Sequence, residues 1–224
     1  MVKRLTDIIA ASVALALLAG PMLLIALAIR LESRGPALFR QRRAGRRGKA
    51  FTILKYRTMR SDAAPYGPSP HSQHDHRLTR LGRLLRETSL DELPQLLNVL
   101  AGQMSLVGPR PLYERQAARW DDRQRHRLDV RPGITGYAQA YGRGELPIED
   151  KIEMDLEYIN KMGIWFDLRI IGRTLWNGVS GRGGVYEKTY SRHSAYEHDA
   201  GASGESPGIS TPRNAEGPSS DRQA

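Results

Sequence analysis

Two neighbouring carboxylates, Asp91 and Glu92, stand just before a proline and a leucine-rich pattern in the stretch "TSLDELPQLLNVLAGQMSLVGPRPL". Carboxylates can attack phosphorus or bind a divalent cation. A two-carboxylate glycosidase is disfavoured, because its acids face each other across the substrate at about 5 to 9.5 Å and seldom come from adjacent residues. The pair therefore indicates nucleophilic or metal chemistry, unless its role is purely structural.

The structural alternative is a helix cap. Ser89 and Glu92 have the spacing of a capping box, and acids in a first turn offset the helix dipole, so the motif taken alone favours this interpretation. Pro94 is tolerated only near a helix start, which predicts that a helix begins between residues 89 and 91. Asp91 and Glu92 would then lie at its N-terminus, where free N–H groups bind phosphate oxygens.

The surrounding elements must bring cations to the pair if it acts on phosphate. Residues 50–59 predict a short strand that turns Phe51, Ile53, Lys55 and Arg57 to one face. Leucines at helical spacing predict an amphipathic helix over residues 77–88, and residues 106–111 predict a rigid turn that presents Arg110. The other predicted elements are helices over residues 112–128, 148–162 and 164–176 and a glycine-rich loop over residues 131–144, which carries Arg131 and Arg143.

Two segments carry signals of loop and disorder. Residues 61–76 contain three prolines and a glycine and predict a loop, in which His71, His74 and His76 favour solvated side chains over a metal cluster. Residues 190–224 have scarcely any apolar side chains and predict a disordered tail.

A hydrophobic segment of 22 residues without a charge covers residues 8–29, enough to cross a bilayer. Basic residues flank both its ends, and the positive-inside rule asks both to stay in the cytoplasm. Gly20-Pro21 lies just past the middle and predicts a kink. A re-entrant helix satisfies both observations, while an ordinary transmembrane helix and a cleaved signal peptide are the alternatives.

The net charge of +10 predicts an anionic partner, and the absence of cysteine excludes disulfides and thiolate chemistry. Residues 30–60 hold eleven basic residues against one acid, Glu32. A membrane-anchored basic module that binds anionic lipid or nucleic acid would explain this charge. It would not explain the two carboxylates.

The chain resembles a known family in "RGPALFRQRRAGRRGKAFTILKYRTM", "TRLGRLLRETSLDELPQLLNVLAGQMSLVGPRP" and "RPGITGYAQAYGR", preceded by a hydrophobic helix that contains a proline. The family is the bacterial sugar transferases, the monotopic polyprenyl-phosphate phosphoglycosyl transferases, here in what looks like the minimal catalytic form. The resemblance covers about residues 1–180. It implies transfer of a sugar 1-phosphate from a UDP-sugar to polyprenyl (undecaprenyl) phosphate, with release of UMP.

The resemblance also implies residue roles. Asp91 would be the nucleophile that forms an aspartyl sugar-phosphate, and Glu92 would help to bind Mg²⁺. Adjacent helical residues diverge by about 100°, which suits such divided roles. Cations in the matching motifs would bind substrate phosphate: Lys55, Arg57, Arg86, Arg110, Arg131 and Arg143. The family often has serine-proline where this chain has Gly20-Pro21, and the loop of residues 61–76 is longer than is usual in the family.

We therefore predict a mainly α fold with a short β element. A re-entrant membrane helix (residues 1–34) and amphipathic helices would pack on a small cytoplasmic catalytic domain (residues 35–189), followed by the tail. The expected location is the bacterial inner membrane, facing the cytoplasm. Membrane lipids and downstream glycosyltransferases are the expected partners, nucleic acid is not, and the expected role is the first membrane step of exopolysaccharide, O-antigen or glycoconjugate synthesis.

Overall fold

The computed structural model describes residues 2–63, 69–70, 72–118, 120–142 and 146–180. The described chain is mostly helical with short strands, which confirms the predicted fold class in its coarse form. The elements are α1 (Val2–Glu32), β1 (Leu38–Ala44), β2 (Ala50–Tyr56), α2 (Arg80–Glu87), α3 (Gln95–Leu100), β3 (Ser105–Val107), α4 (Glu114–Ala117), α5 (Asp122–Arg125), β4 (Gly133–Thr135), α6 (Tyr137–Tyr141), α7 (Ile148–Lys161) and α8 (Ile164–Ser180). Arg143, part of the loop of residues 61–76 and the predicted disordered tail lie outside the described residues.

α1 is the one helix of the described chain that is long and apolar enough to cross a membrane. Its 31 residues extend about 46 Å, at about 1.5 Å per residue. The helix continues through Gly20 and Pro21, where we predicted a kink. A bend at this point stays a prediction, because proline removes a backbone hydrogen bond without having to end a helix.

One stripe of α1 packs on the rest of the protein, and the opposite surface is exposed. Ala11 near the start and Ile29 near the end are both buried. Leu17, Leu23 and Leu24 on the other surface are largely exposed. A continuous exposed apolar surface of this kind marks a contact with membrane or protein.

The N-terminal end of α1 is bound through polar side chains. Arg4 donates to the Val99 carbonyl oxygen at 2.7 Å. The buried Asp7 carboxylate accepts from Ser105 Oγ at 2.8 Å and from the Leu106 backbone N–H at 3.1 Å. These contacts fix the first turns of α1 to α3 and β3.

The C-terminal end of α1 is bound to the same folded unit. The Tyr56 hydroxyl donates to the Met22 carbonyl oxygen at 2.7 Å, and the Leu81 backbone N–H donates to Glu32 Oε1 at 3.0 Å. Both ends of the apolar helix therefore lie against one domain.

Two small sheets support the region around the dyad, the name used below for Asp91 and Glu92. β1 and β2 pair antiparallel, with Leu38 opposite Tyr56, and β3 and β4 pair parallel. β2 ends at Tyr56. The predicted strand over residues 50–59 was thus too long, and Arg57 does not continue the face that carries Lys55.

The longer helices follow the apolar periodicity, and the shorter segments do not. α7 and α8 confirm the helices predicted from residues 148 and 164. The single helix predicted over residues 112–128 is wrong: Trp120 is buried, and Asp121 caps α5 by accepting from Gln124 N at 2.7 Å, which divides the segment. The loop predicted over residues 131–144 contains β4 and α6.

Leu93, directly after the dyad, joins two apolar clusters. It packs against both, so the turn that carries the carboxylates has a hydrophobic support on two sides. The first cluster contains Ala11, Phe51, Ile53, Leu96, Val99 and Met104, and the second contains Ile29, Tyr56 and Leu85.

Candidate active site

The dyad lies in a 3₁₀ turn, Leu90–Glu92, between α2 and α3. Ser89 adopts a left-handed conformation (φ 59°) and its side chain makes no capping hydrogen bond, so the capping box suggested by the sequence is not formed. The α-helix begins only at Gln95, after Pro94. The reversal at Ser89 turns the chain between the two helices, and it leaves the carboxylates free for a role other than capping.

Asp91 is buried, with an exposed fraction of 8%. Among the described residues no hydrogen bond or ion pair reaches its carboxylate. Burial raises the pKa of Asp91 to about 6; the charge of Glu92 adds to this effect, while the charges of Lys55, Arg86 and Arg110 oppose it. Asp91 is therefore a carboxylate with an unsatisfied capacity to bind a cation or attack an electrophile.

Glu92 is held by two cations. Its Oε1 accepts from Lys55 Nζ at 2.6 Å and from Arg110 Nη1 at 3.4 Å. Burial favours the neutral acid, but the charges of Lys55 and Arg110 outweigh burial and lower the pKa of Glu92 to about 2. Burial also lowers the pKa of Lys55, against the attraction of Glu92. Glu92 is thus ionised throughout the physiological range.

Arg86 approaches from the last turn of α2. Its Nε donates to Thr58 Oγ1 at 3.0 Å, and its charge contributes to lowering the Asp91 pKa. The structure therefore places Lys55, Arg86 and Arg110 around the dyad, and their predicted binding to substrate phosphate stays a prediction. Three cations around two acids leave a net positive charge that suits a diphosphate.

Two other predicted phosphate ligands lie elsewhere. Arg57 donates to the carbonyl oxygens of Arg34 (2.6 Å) and Ser33 (2.8 Å), just beyond the C-terminal end of α1. Arg131 Nε donates to the Gly102 carbonyl oxygen at 2.8 Å. The structure thus shows backbone contacts for both guanidinium groups and does not bring them to the dyad.

Asn98, which the sequence analysis did not single out, fixes α3 to β2. Its Oδ1 accepts from Leu54 N at 3.0 Å, and its Nδ2 donates to the Thr52 carbonyl oxygen at 2.8 Å. The amide therefore acts as a hydrogen-bonding partner for the strand that carries Lys55. A polar residue inside the leucine pattern of α3 was the available signal.

The turn that carries Arg110 follows β3 directly. Gly108 is required there, because a Cβ atom would lie 2.5 Å from the Arg131 carbonyl oxygen. This close approach lets the turn pack on β4 while the Arg110 side chain, 47% exposed, reaches Glu92. Arg110 is thus partly open to solvent and can exchange its contact with Glu92 for a contact with substrate.

The carboxylates present fit a magnesium site completed by substrate. The described residues contain no cluster of three or more histidine, aspartate or glutamate side chains able to hold a metal by themselves. Mg²⁺ is commonly bound by one or two carboxylates together with substrate phosphates and water. Lys55 and Arg110 both contact Oε1 of Glu92, which leaves Oε2 for a metal.

A family model described as "Bacterial sugar transferase" matches residues 1–181 of the chain. The UDP-glucose:undecaprenyl-phosphate glucose-1-phosphate transferase of Escherichia coli (strain K12) is 42% identical over 186 residues, 80% of this chain and 40% of that protein. A protein of the same name from Caulobacter vibrioides is 47% identical, over 77% of this chain and 68% of that protein.

A third relative is named for a different sugar. The UDP-N-acetylgalactosamine-undecaprenyl-phosphate N-acetylgalactosaminephosphotransferase of Aeromonas hydrophila is 39% identical, over 81% of this chain and 44% of that protein. The chain therefore spans less than half the length of two of these three relatives. Their names share undecaprenyl phosphate and differ in the sugar.

Proposed function

Because the chain belongs to the bacterial sugar transferase family, we propose that it transfers a sugar 1-phosphate from a UDP-sugar to polyprenyl phosphate, releasing UMP. The observation that carries the proposal is the contrast within the dyad. Asp91 is buried and has no side-chain partner among the residues that the structure describes, whereas Glu92 beside it is held by Lys55 and Arg110. The names of the relatives support undecaprenyl phosphate as the acceptor and a UDP-sugar as the donor.

The reaction has two displacements at one phosphorus. An Asp91 carboxylate oxygen attacks the phosphorus that bears the sugar, and the bond from this phosphorus to the bridging oxygen breaks, so UMP leaves with the electron pair. A phosphate oxygen of the polyprenyl phosphate then attacks the same phosphorus. The carboxylate is released, and the sugar is left on a polyprenyl diphosphate.

The cations around the dyad each have a separate task. Arg110 can grip the oxygens of the leaving phosphate with two parallel hydrogen bonds, since its side chain is half exposed. Lys55 holds Glu92 and adds a second positive charge close to the attacked phosphorus. Arg86, fixed by Thr58, favours the ionised form of Asp91.

The free oxygen of Glu92 and the diphosphate of the donor would hold Mg²⁺. Bound there, the metal would neutralise charge on the phosphate oxygens as the bond to the leaving group breaks. The Lys55 contact orients the Glu92 carboxylate for this role, because it occupies one oxygen and leaves the other.

The membrane placement is part of the proposal. Both ends of α1 are bound to one domain, which supports a helix that enters and leaves the bilayer on the same side. α8 adds an exposed apolar face with two tryptophans, a composition typical of a membrane interface. This face contains Trp165, Leu168, Leu175, Trp176 and Val179. The proposed location is the cytoplasmic face of the bacterial inner membrane, where the product would be an acceptor for further glycosyltransferases.

The test is release of UMP. Purified membranes that contain the protein are mixed with polyprenyl phosphate, Mg²⁺ and each member of a panel of UDP-sugars. The proposal predicts UMP release with at least one sugar, dependent on the acceptor for sustained turnover. Binding of anionic lipid or nucleic acid that weakens with salt, without UMP release for any sugar, would favour the basic binding module instead.

A further inference from the structure

A fully buried ion pair lies behind the turn that presents Arg110. Arg127 and Asp155 have side chains only 3% and 2% exposed. Arg127 donates to Asp155 Oδ2 from Nη2 at 2.5 Å and from Nε at 3.1 Å. A buried pair of this kind is weak support for stability, because desolvation of the two charges offsets their attraction.

The pair has an additional contact that a purely stabilising role does not require. Arg127 Nη2 also donates to the backbone carbonyl oxygen of Arg110, at 3.2 Å. Arg127 Nη1 is buried without a hydrogen-bond partner among the residues that the structure describes, so the fold accepts the cost of one unpaired donor. The Arg127 guanidinium also lies over the Trp120 ring, 4.9 Å from its centroid, so Arg127 connects Asp155, Trp120 and the Arg110 carbonyl oxygen.

α7 is linked to the turn of residues 107–110 through Arg127. Asp155 on α7 fixes Arg127, which donates to the carbonyl oxygen of Arg110. The Tyr158 hydroxyl, one helical turn later, lies 3.1 Å from the Val107 carbonyl oxygen, but its single proton is directed to Asp167 Oδ1 at 2.7 Å. The backbone that orients the Arg110 side chain is therefore fixed to α7 by the Arg127–Asp155 pair.

We infer that Arg127 and Asp155 are positioning residues for Arg110: the pair fixes the Arg110 backbone so that its guanidinium stands beside Glu92 and meets the donor diphosphate. This inference rests on the proposed function. It predicts that the pair affects catalysis only through Arg110. A merely structural pair would affect folding whether or not Arg110 is present.

The first test separates positioning from stability. Arg127→Met combined with Asp155→Leu replaces the pair by apolar side chains of similar size, which often preserves stability. We expect a melting temperature within a few degrees of the wild type, and kcat/KM for the UDP-sugar lower by about tenfold. A double variant with both the melting temperature and the kcat/KM of the wild type would overturn the inference.

The second test uses Arg110→Ala as a background. If the pair acts through Arg110, the double replacement should lower kcat/KM about tenfold in the wild type and less than twofold in Arg110→Ala, measured as UMP release over long incubations. An equal loss in both backgrounds would show a general structural role. Absence of UMP release from the wild type with every UDP-sugar would instead contradict the proposed function.

A conservative variant covers the case in which the double replacement does not fold. Arg127→Lys keeps the charge opposite Asp155, but its single nitrogen lacks the fork that reaches both the carboxylate and the Arg110 carbonyl oxygen. We expect a folded protein with kcat/KM lowered about fivefold, again only when Arg110 is present. A wild-type kcat/KM would contradict the inference.

The matched control is an exposed pair close to the same segments. Arg123 on α5 and Glu153 on α7 are 2.5 Å apart and are 69% and 51% exposed. Arg123→Met with Glu153→Leu removes another arginine–carboxylate pair, with the arginine first along the chain, without touching the Arg110 turn. We expect a melting temperature within a few degrees of the wild type and kcat/KM within twofold of it.

Discussion

The dyad turn and the contact between α1 and β3 each bury an aspartate, and the fold treats the two differently. Asp7 in α1 has both carboxylate oxygens occupied, one by Ser105 Oγ and one by the Leu106 N–H. Asp91 has neither oxygen occupied by any residue that the structure describes. The Asp91 residue is 8% exposed, and its carboxylate has no hydrogen-bond or ion-pair partner among the described residues, so its oxygens are available to a ligand.

Glu92 shows that the dyad turn does not leave all of its carboxylates without a partner. It lies next to Asp91 and is bound by Lys55 and Arg110. Cations are therefore available within the site, and they are directed to one acid and not to the other. The arrangement places a carboxylate without a partner among the described residues directly beside a carboxylate that two cations hold.

The largest expected effect is on turnover, and it distinguishes Asp91 from Glu92. Asp91→Asn should lower turnover at least about a thousandfold while UDP-sugar binding remains, because an amide keeps the shape but cannot form the phosphoryl ester. Glu92→Gln should keep measurable turnover and need more Mg²⁺ for half-maximal rate, since a hard cation prefers a charged oxygen. Steady-state UMP release across a Mg²⁺ series distinguishes them. Equal defects in both variants would contradict the divided roles.

The second effect is on stability: Asp91→Asn, which should lower turnover, should raise the free energy of unfolding. Burial raises the pKa of Asp91 from 3.8 to about 6, so its charge disfavours the folded state at neutral pH. A pKa shift is worth about 1.4 kcal/mol for each pKa unit, so the stability difference is on the order of one to a few kcal/mol. Asp91→Asn should therefore be more stable than the wild type in Mg²⁺-free buffer.

The pH dependence of that stability gain follows from the two pKa values. The unfolded carboxyl titrates near its usual value and the folded one near 6, so the gain should be absent below about pH 4, grow between pH 4 and 6 and be complete above 6. Thermal unfolding in detergent between pH 4 and 8 measures it. A variant less stable than the wild type at pH 8 would show that the folded state does not disfavour the Asp91 charge.

The third effect tests the paired aspartate. Asp7→Ala leaves Ser105 Oγ and the Leu106 N–H without their acceptor, and we expect a loss of about 2 kcal/mol in the free energy of unfolding. Thermal unfolding under the conditions used for Asp91→Asn gives a direct comparison. A gain in stability from Asp7→Ala would remove the distinction between the two aspartates.

The smallest expected effect is on tryptophan fluorescence, and it compares exposed with buried side chains. The chain has three tryptophans, of which Trp120 is buried and Trp165 and Trp176 are exposed on α8. In single-tryptophan variants made with phenylalanine, brominated lipids should quench Trp165 and Trp176 by more than twofold and Trp120 hardly at all. Equal quenching of the three would argue against α8 at the membrane interface.

Local sequence signals predicted the elements that depend on local periodicity. The spacing of apolar residues predicted α7 and α8, because a repeated apolar pattern is enough to form a helix face. Lys55, Arg86 and Arg110 were singled out by their places in the family's motifs, not by local spacing, and their binding to phosphate stays a prediction.

Contacts between distant segments could not be predicted in this way. Arg57 shares the alternation of Lys55 in the sequence, yet β2 ends at Tyr56 and the carbonyl oxygens after α1 bind the guanidinium. The capping box at Ser89 fits the spacing, but the left-handed turn there prevents it. In both cases tertiary packing decided between conformations that the local sequence allows.

The most direct test of Asp91 as the nucleophile is intact-protein mass spectrometry after the protein is mixed with a UDP-sugar and Mg²⁺ but no polyprenyl phosphate. The account predicts a mass increase of one sugar phosphate on the wild type and none on Asp91→Asn, with the adduct lost when polyprenyl phosphate is added. Glu92→Gln should still form the adduct, more slowly. An adduct that persists in Asp91→Asn, or one that maps to another residue, would contradict the central claim.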